Sequence, residues 1–243
     1  MSFVDGVASN NGAGGTTIVA TMPINFNGDV LLMCIVVRGG TGTTITDPAG
    51  WTLLGAQVNS GTTLASKLYW RVAASEPASY TVTITSNKAT AVIADFGPLP
   101  GIEGNVLVSA FYAGQANASS LTVTAPATGT WNPVKGTMLW IGGIAFASET
   151  TTPAPAGYSD PTAAMNSVNT GGSTASRTQI QGYIQDVTTE SQTTIGSTSA
   201  TWTGTAAVNI GWNVFVPETL NKFLYGRLDG RAQQPLMAQL IAQ

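Results

Sequence analysis

Apolar residues along this chain come in short runs and in alternation, and helical spacing is absent until Pro217. Val30 to Val37 is eight apolar residues rich in β-branching. It is too short for an ordinary globular helix and predicts a central strand covered on both faces. Thr17 to Met22 precedes it as a first strand, favoured by Thr, Ile and Val. Ala65 to Val72 alternates: Ala65, Lys67, Tyr69 and Arg71 point one way, and Ser66, Leu68, Trp70 and Val72 the other, which predicts one buried face. Tyr80 to Thr85 alternates again, and Ala89 to Phe96 is a further apolar strand, with another expected over Asn105 to Tyr112.

Turn chemistry punctuates these strands. Asp47-Pro48-Ala49-Gly50 is a turn in which Pro presets φ, Gly takes a conformation other residues resist, and Asp bonds its own backbone. Trp51 follows as an apolar anchor whose indole N–H is placed to reach a loop carbonyl. Ser75-Glu76-Pro77 turns the chain before Tyr80.

A weaker copy of the pattern begins near Leu121. Leu121 to Thr124 matches the first strand, and Thr137 to Phe146 matches Asp29 to Arg38 with Gly136 under Gly28. Pro155-Ala156-Gly157-Tyr158 matches Pro48-Ala49-Gly50-Trp51. Residues 159–176 read as a long polar loop, followed by strands at Gln179 to Val187, Ala200 to Trp202 and Ala206 to Val216. Matching order and turns predict an internal duplication.

The expected fold is all-β: an antiparallel β-sandwich or jelly-roll-like fold built from two similar β units, with a short, partly helical C-terminal tail. One large sandwich is the first expectation and two small ones in tandem the second. The expected organisation is an N-terminal arm over 1–16, a duplicated region over 17–216 with units of about 17–112 and 121–216, and a tail over 217–243. In the tail, Leu220, Phe223 and Leu224 share one helical face, as do Leu236, Met237, Leu240 and Ile241. Such short amphipathic segments are not stable alone. They are expected to pack on a neighbouring subunit as assembly contacts.

Composition narrows the chemistry. Charged residues are 9% of 243, against about 25% in an ordinary soluble domain. Twelve acidic and nine basic residues give a net charge of −3, with no basic stripe for nucleic acid. A surface of Thr, Ser, Asn and Gly carries little repulsion between copies, which suggests a permanent assembly. The chain has no histidine, which removes the commonest general base and zinc ligand. Cys34, the single cysteine, sits inside LLMCIVV and reads as a small buried hydrophobe. The first residues lack the basic start and apolar core of a signal peptide, and no apolar run reaches the roughly 20 residues of a membrane helix.

Candidate catalytic groups are sparse. Asp29, Asp47, Asp95, Glu103, Asp160 and Asp186 are scattered over turns and strand ends. A glycosidase needs two carboxyl groups roughly 5–9 Å apart across a cleft. Turn formation is the commoner reason for such residues. No G-x-S-x-G elbow is present, and the glycine runs lack a phosphate-cradling context. Trp51, Tyr69, Trp70, Trp131, Trp140, Tyr158, Trp202 and Trp212 are candidates for a sugar-binding surface, and most fit equally well as core anchors. Tyr69 and Trp131 are the better exposed candidates by their neighbours.

The segments GDVLLMCIVV, DPAGW and SEPASY, from Gly28, Asp47 and Ser75, resemble a β-sandwich family found in tailed-bacteriophage virion proteins. These include tail- and fibre-associated and head-surface proteins. The likeness spans residues 17–216 and departs at Tyr158, where the family carries an aliphatic residue or Met, and at the 159–176 loop. It implies a non-enzymatic virion protein with no catalytic, metal or cofactor residues. The expected place is the surface of head or tail, in a decoration, collar or minor tail role. Expected partners are further copies of the chain and other virion proteins, with neither nucleic acid nor membrane. The structural anchors would be Gly28, Pro48, Gly50, Trp51, Trp70, Tyr80, Pro155, Gly157 and Tyr158. The alternative is a carbohydrate-binding or host-adhesion module that meets a host-surface glycan. A glycan hydrolase is a third reading.

Overall fold

The computed structural model describes residues 3–97, 112–130, 135–145, 153–159, 165–169, 177–188, 194–201 and 206–217. Within them lie fourteen strands. The first seven are β1 (Phe3–Asn10), β2 (Gly15–Thr21), β3 (Val30–Arg38), β4 (Thr52–Ser60), β5 (Leu64–Val72), β6 (Ser79–Asn87) and β7 (Ala89–Phe96). The second seven are β8 (Tyr112–Ser120), β9 (Thr122–Ala125), β10 (Gly136–Ala145), β11 (Asn166–Val168), β12 (Gln179–Val187), β13 (Thr198–Thr201) and β14 (Ala207–Pro217).

The strand order repeats. One five-stranded sheet runs β1-β7-β3-β5-β4, and the other runs β8-β14-β10-β12-β11 when read from its β8 edge. Adding seven to each label of the first gives the second. The two-stranded pairs β2-β6 and β9-β13 obey the same rule. Every strand pairing is antiparallel. The described residues form an all-β fold, with two similar five-stranded sheets in a sandwich-like arrangement.

The inner faces of the two large sheets form one core. Val30, Leu32, Cys34 and Val36 of β3 and Val92, Ala94 and Phe96 of β7 pack with Leu139 and Ile141 of β10 and Ile210, Trp212 and Val214 of β14. Near the middle, Trp212 Nε1 donates to Ser66 Oγ at 3.0 Å, and Cys34 Sγ lies 3.4 Å from the same hydroxyl. At the rims the first unit's edges meet the second's: Asn10 Nδ2 on β1 donates to Ser167 Oγ on β11, and Ser60 Oγ on β4 donates to Asn117 O on β8. First strand thus meets fourth at one rim and fourth meets first at the other, as a pseudo-twofold axis requires.

Each large sheet is also covered on its outer face. Ile18, Ala20, Val82 and Ile84 of β2-β6, with Ile45 and Trp51, lie over Leu31, Met33, Ile35 and Val37. Val123, Ala125 and Ala200 of β9-β13 lie over Trp140, Ile144 and Tyr183. This second lid sits on a polar outer face: Asn209 and Asn213 of β14 donate to Thr122 O and Pro126 O at 3.2 and 2.9 Å.

Three expectations are corrected. The expected single buried face of Ala65 to Val72 is wrong, because the β2-β6 lid buries the other: Ala65 and Tyr69 are as buried as Leu68. The match of Gly136 to Gly28 is one residue out. Leu32 and Leu139 face inward while Met33 and Trp140 face outward, an offset of 107. A one-residue slip in a strand exchanges its faces. Residues 3–10, expected as part of an arm, form β1 and pair with β7 from Phe3↔Phe96 to Asn10↔Thr90.

Candidate functional site

The two turn motifs singled out in the first unit meet around one cation. Gly50 takes φ 79°, in the left-handed region, and a Cβ there would lie 3.2 Å from Arg71 Nη1. Trp51 is thereby set against Arg71, whose guanidinium carbon lies 5.7 Å from the Trp51 ring centre and 5.4 Å from that of Tyr80. The two rings stand edge to face at 5.4 Å. Ser75, at φ 59°, turns the chain so that Glu76 points back: its side chain is fully buried and pairs with Arg71 at 3.0 Å. Glu76 also accepts from the Tyr80 hydroxyl and from Ala74 N. Burial, then the bond to Glu76, pushes the Tyr80 hydroxyl up to about 12. The constellation is a latch that fastens the turn entering β4 to the β5–β6 turn. The Trp51 indole N–H, expected to bond a loop carbonyl, is buried without an acceptor among the described residues.

The second unit repeats the frame without the latch. Gly157 has φ 84°, and its Cβ would meet Gln185 Nε2 at 3.0 Å. Gln185 stands opposite Met138 as Arg71 stands opposite Leu31. Thr198 stands opposite Ala125 as Tyr80 stands opposite Ala20. Tyr158 takes the place of Trp51. Smaller side chains leave a cleft of about 290 Å³ between Tyr158, Gln185, Ile195 and the stretch Ser197, Thr198 and Ser199. Burial raises the Tyr158 hydroxyl, and a hydrogen bond with the Thr198 side chain works against that rise.

A third group of residues was not assembled by sequence reasoning. Asp29 and Asp95, both fully buried, face each other through their carboxyl groups, and Asp5 lies across the ladder from Asp95. Among the described residues no other side chain donates to Asp29 Oδ1 or to the Asp95 oxygens, and the Phe96 backbone N–H works against the rise of Asp95. Burial, the charge on Asp29 and the hydrogen bond to it, and the more distant charge of Asp5 push Asp95 up to about 8. Asp95 is therefore protonated at neutral pH and donates to Asp29. The available signal was an acidic residue inside an otherwise apolar strand.

Asp29 and Asp5 also hold the loop before β3. Phe26 N donates to Asp29 Oδ2 at 2.6 Å and Ile24 N to Asp5 Oδ2 at 3.1 Å. Gly28 N bonds Ala73 O, and Asn27 Oδ1 accepts from Ser75 N. This fixed backbone leaves Ile24 and Phe26 pointing outward, 72% and 67% exposed.

The remaining candidates separate. Asp47 pairs with Lys67 at 2.6 Å and accepts from Tyr69 Oη at 2.9 Å, and the Lys67 bond holds its carboxyl below the usual range. Asp186 accepts from Thr137 Oγ1. Tyr69, expected to be exposed, is fully buried because the β2-β6 lid covers it. Trp70, Trp140 and Trp212 are core residues, Trp70 facing the opposite sheet from Trp51. Cys34 is fully buried, and burial pushes its thiol up to about 12. Glu103, Trp131, Asp160, Trp202, Leu220, Phe223, Leu224, Leu236, Met237, Leu240 and Ile241 lie outside the described residues. Among those described, no group of three acidic, Cys or His side chains is arranged to hold a metal ion.

Compared with family models, curated proteins and solved structures, the chain matches none.

Proposed function

We propose that the chain is a non-enzymatic structural subunit of a bacteriophage virion that assembles with copies of itself on the surface of head or tail, in a decoration, collar or minor tail role. The observation that carries the assembly reading is the loop before β3, where two large apolar side chains are held into solvent by carboxylates and backbone bonds. A collapsed loop would bury Ile24 and Phe26. This one keeps them out, and burying each against a partner gains roughly 1.5–3 kcal/mol. A second copy is the favoured occupant, because a chain with 9% charged residues and a net charge of −3 repels itself little. The virion assignment is supported by the likeness of Gly28–Val37, Asp47–Trp51 and Ser75–Tyr80 to phage β-sandwich proteins. In this reading the two units descend from one duplicated jelly-roll-like unit. The tail over 217–243 adds a short, partly helical clasp on a neighbour. Gly28, Pro48, Gly50, Trp51, Trp70, Tyr80, Pro155, Gly157 and Tyr158 act as structural anchors.

The test is native mass spectrometry of the full chain beside an Ile24→Ser/Phe26→Ser double variant. The parent forms a discrete oligomer, and the variant loses it while remaining folded by circular dichroism. A parent that stays monomeric at every concentration, or a variant that assembles unchanged, refutes the self-assembly reading. A second reading, a carbohydrate-binding module, is favoured by the open cleft of the second unit.

A further inference from the structure

The two units put the same turn, strand and lid around one spot, and only the second leaves it open. In the first, Arg71 fills the space between Trp51 and Tyr80 and closes on Glu76. In the second, the corresponding places hold Gln185, Tyr158 and Thr198, and a cleft of about 290 Å³ remains. That is at the small end of ligand clefts, which run from roughly 300 Å³ upward.

The lining defines what fits. No charged side chain faces the cleft among the described residues. Among the described residues a charged ligand would find no opposite charge to offset its lost hydration. Tyr158, Met138 and Ile195 supply one apolar wall. Gln185, Ser197, Thr198 and Ser199 supply polar surface. Ser197 Oγ spends its proton on Ala125 O at 3.1 Å and so keeps lone pairs to offer, whereas Thr198 Oγ1 is engaged by Gly196 O, Asn213 Nδ2 and Tyr158. The Gln185 amide has no hydrogen-bond partner among the described residues, and offers two N–H donors and a carbonyl. Apolar surface beside a hydroxyl and one amide suits a ring with a C–H face and hydroxyl edges.

We propose that the second unit binds a neutral hexopyranose in this cleft, stacked on Tyr158 and hydrogen-bonded by the Gln185 amide and the Ser197 hydroxyl. The inference stands on the cleft alone and survives if the chain proves not to assemble.

The experiment is an amide NMR titration of the full chain with methyl α-D-glucopyranoside, methyl β-D-galactopyranoside and methyl N-acetyl-β-D-glucosaminide, with N-acetylneuraminic acid as the charged comparison. At least one neutral glycoside gives saturable shifts confined to the Gln185 side chain and the Ser197–Ser199 amides, and the acidic sugar gives none. Gln185→Ala weakens that binding at least about tenfold. Thr198→Tyr, which restores the bulk found in the first unit, abolishes it. Gln185→Ala is the deciding variant, since Gln185 is half-buried and its loss leaves the lid contacts in place; retained spectral dispersion checks the fold. Absence of saturable shifts from all three neutral glycosides, shifts located elsewhere, binding of the acidic sugar in the cleft, or binding unchanged in Gln185→Ala overturns the proposal.

Discussion

Replacing Asp95 by Asn removes one titratable proton from a fully buried carboxyl pair. In the folded chain Asp95 is raised to about 8, and unfolded it returns to the ordinary range near 4. Between those values the native state holds one proton more than the unfolded state. Stability then falls as pH rises, by about 1.4 kcal/mol per pH unit. From about pH 5 to about pH 7 the parent should lose about 2.7 kcal/mol. The window is clean: the chain has no histidine, so no ordinary side chain titrates within it. Asp47, whose pKa is lowered, adds stability that is lost only as pH falls below the ordinary carboxylate range. An Asn side chain cannot ionise, yet its N–H still donates to Asp29. The Asp95→Asn variant should therefore show a flat profile across the window and exceed the parent's stability at neutral pH. Urea unfolding followed by Trp fluorescence, repeated at several pH values, measures both slopes. A parent profile that is flat or rises from about pH 5 to about pH 7, or a variant that keeps the parent's slope, refutes the shared proton.

Other perturbations probe the remaining joints. Glu76→Ala leaves Arg71 buried without its partner and should destabilise the fold by about 3 kcal/mol in urea unfolding; an effect below about 1 kcal/mol would show that the latch contributes little. Gly143 packs on Val36 across the two sheets, and a Cβ there would lie 2.7 Å from Val36 Cγ2. Gly143→Val should accordingly lower stability by about 2 kcal/mol through overpacking, read by the same titration. Cys34, fully buried and with a raised pKa, should resist a disulfide reagent in the native state and react at once in denaturant. Rapid native labelling would mean that the inter-sheet core opens.

How far the sequence could be read follows from where each strand sits. The central strands β3, β5, β7, β10, β12 and β14 announce themselves by apolar runs or alternation, because neighbours on both sides and layers on both faces demand it. All four edge strands are harder. β1 carries Asp5, Gly6, Ser9 and Asn10, and β8 carries Gly114, Gln115 and Asn117, which read as arm and turn. Past Leu54, β4 runs through Gly55, Gln57 and Asn59, and β11 is three residues inside a polar stretch. Edge strands pair on one side only, so their side chains need not be apolar, and polar edges discourage pairing with other chains. Tyr69 was misplaced for a related reason: the β2-β6 lid that buries it is remote in sequence, and alternation alone suggests solvent.

The candidate sites show the same limit. Pro48-Ala49-Gly50-Trp51 and Ser75-Glu76-Pro77 were legible as turns, yet nothing local says that both close on Arg71. Asp29 and Asp95 were legible as carboxylates and invisible as a pair, because β7 pairs with β3 from beyond the intervening β4, β5 and β6. The cleft of the second unit is visible only by superposing the repeat. A Tyr-to-Thr and an Arg-to-Gln difference at equivalent places becomes an opening once the frame is common.

Single-particle imaging of particles isolated from the source of this chain tests the proposed assembly most directly. The account predicts density for both β units at regular, symmetry-related positions on head or tail, with Ile24 and Phe26 buried against a neighbouring copy. The chain's absence from the particle, or its presence with that loop facing open solvent, would contradict it.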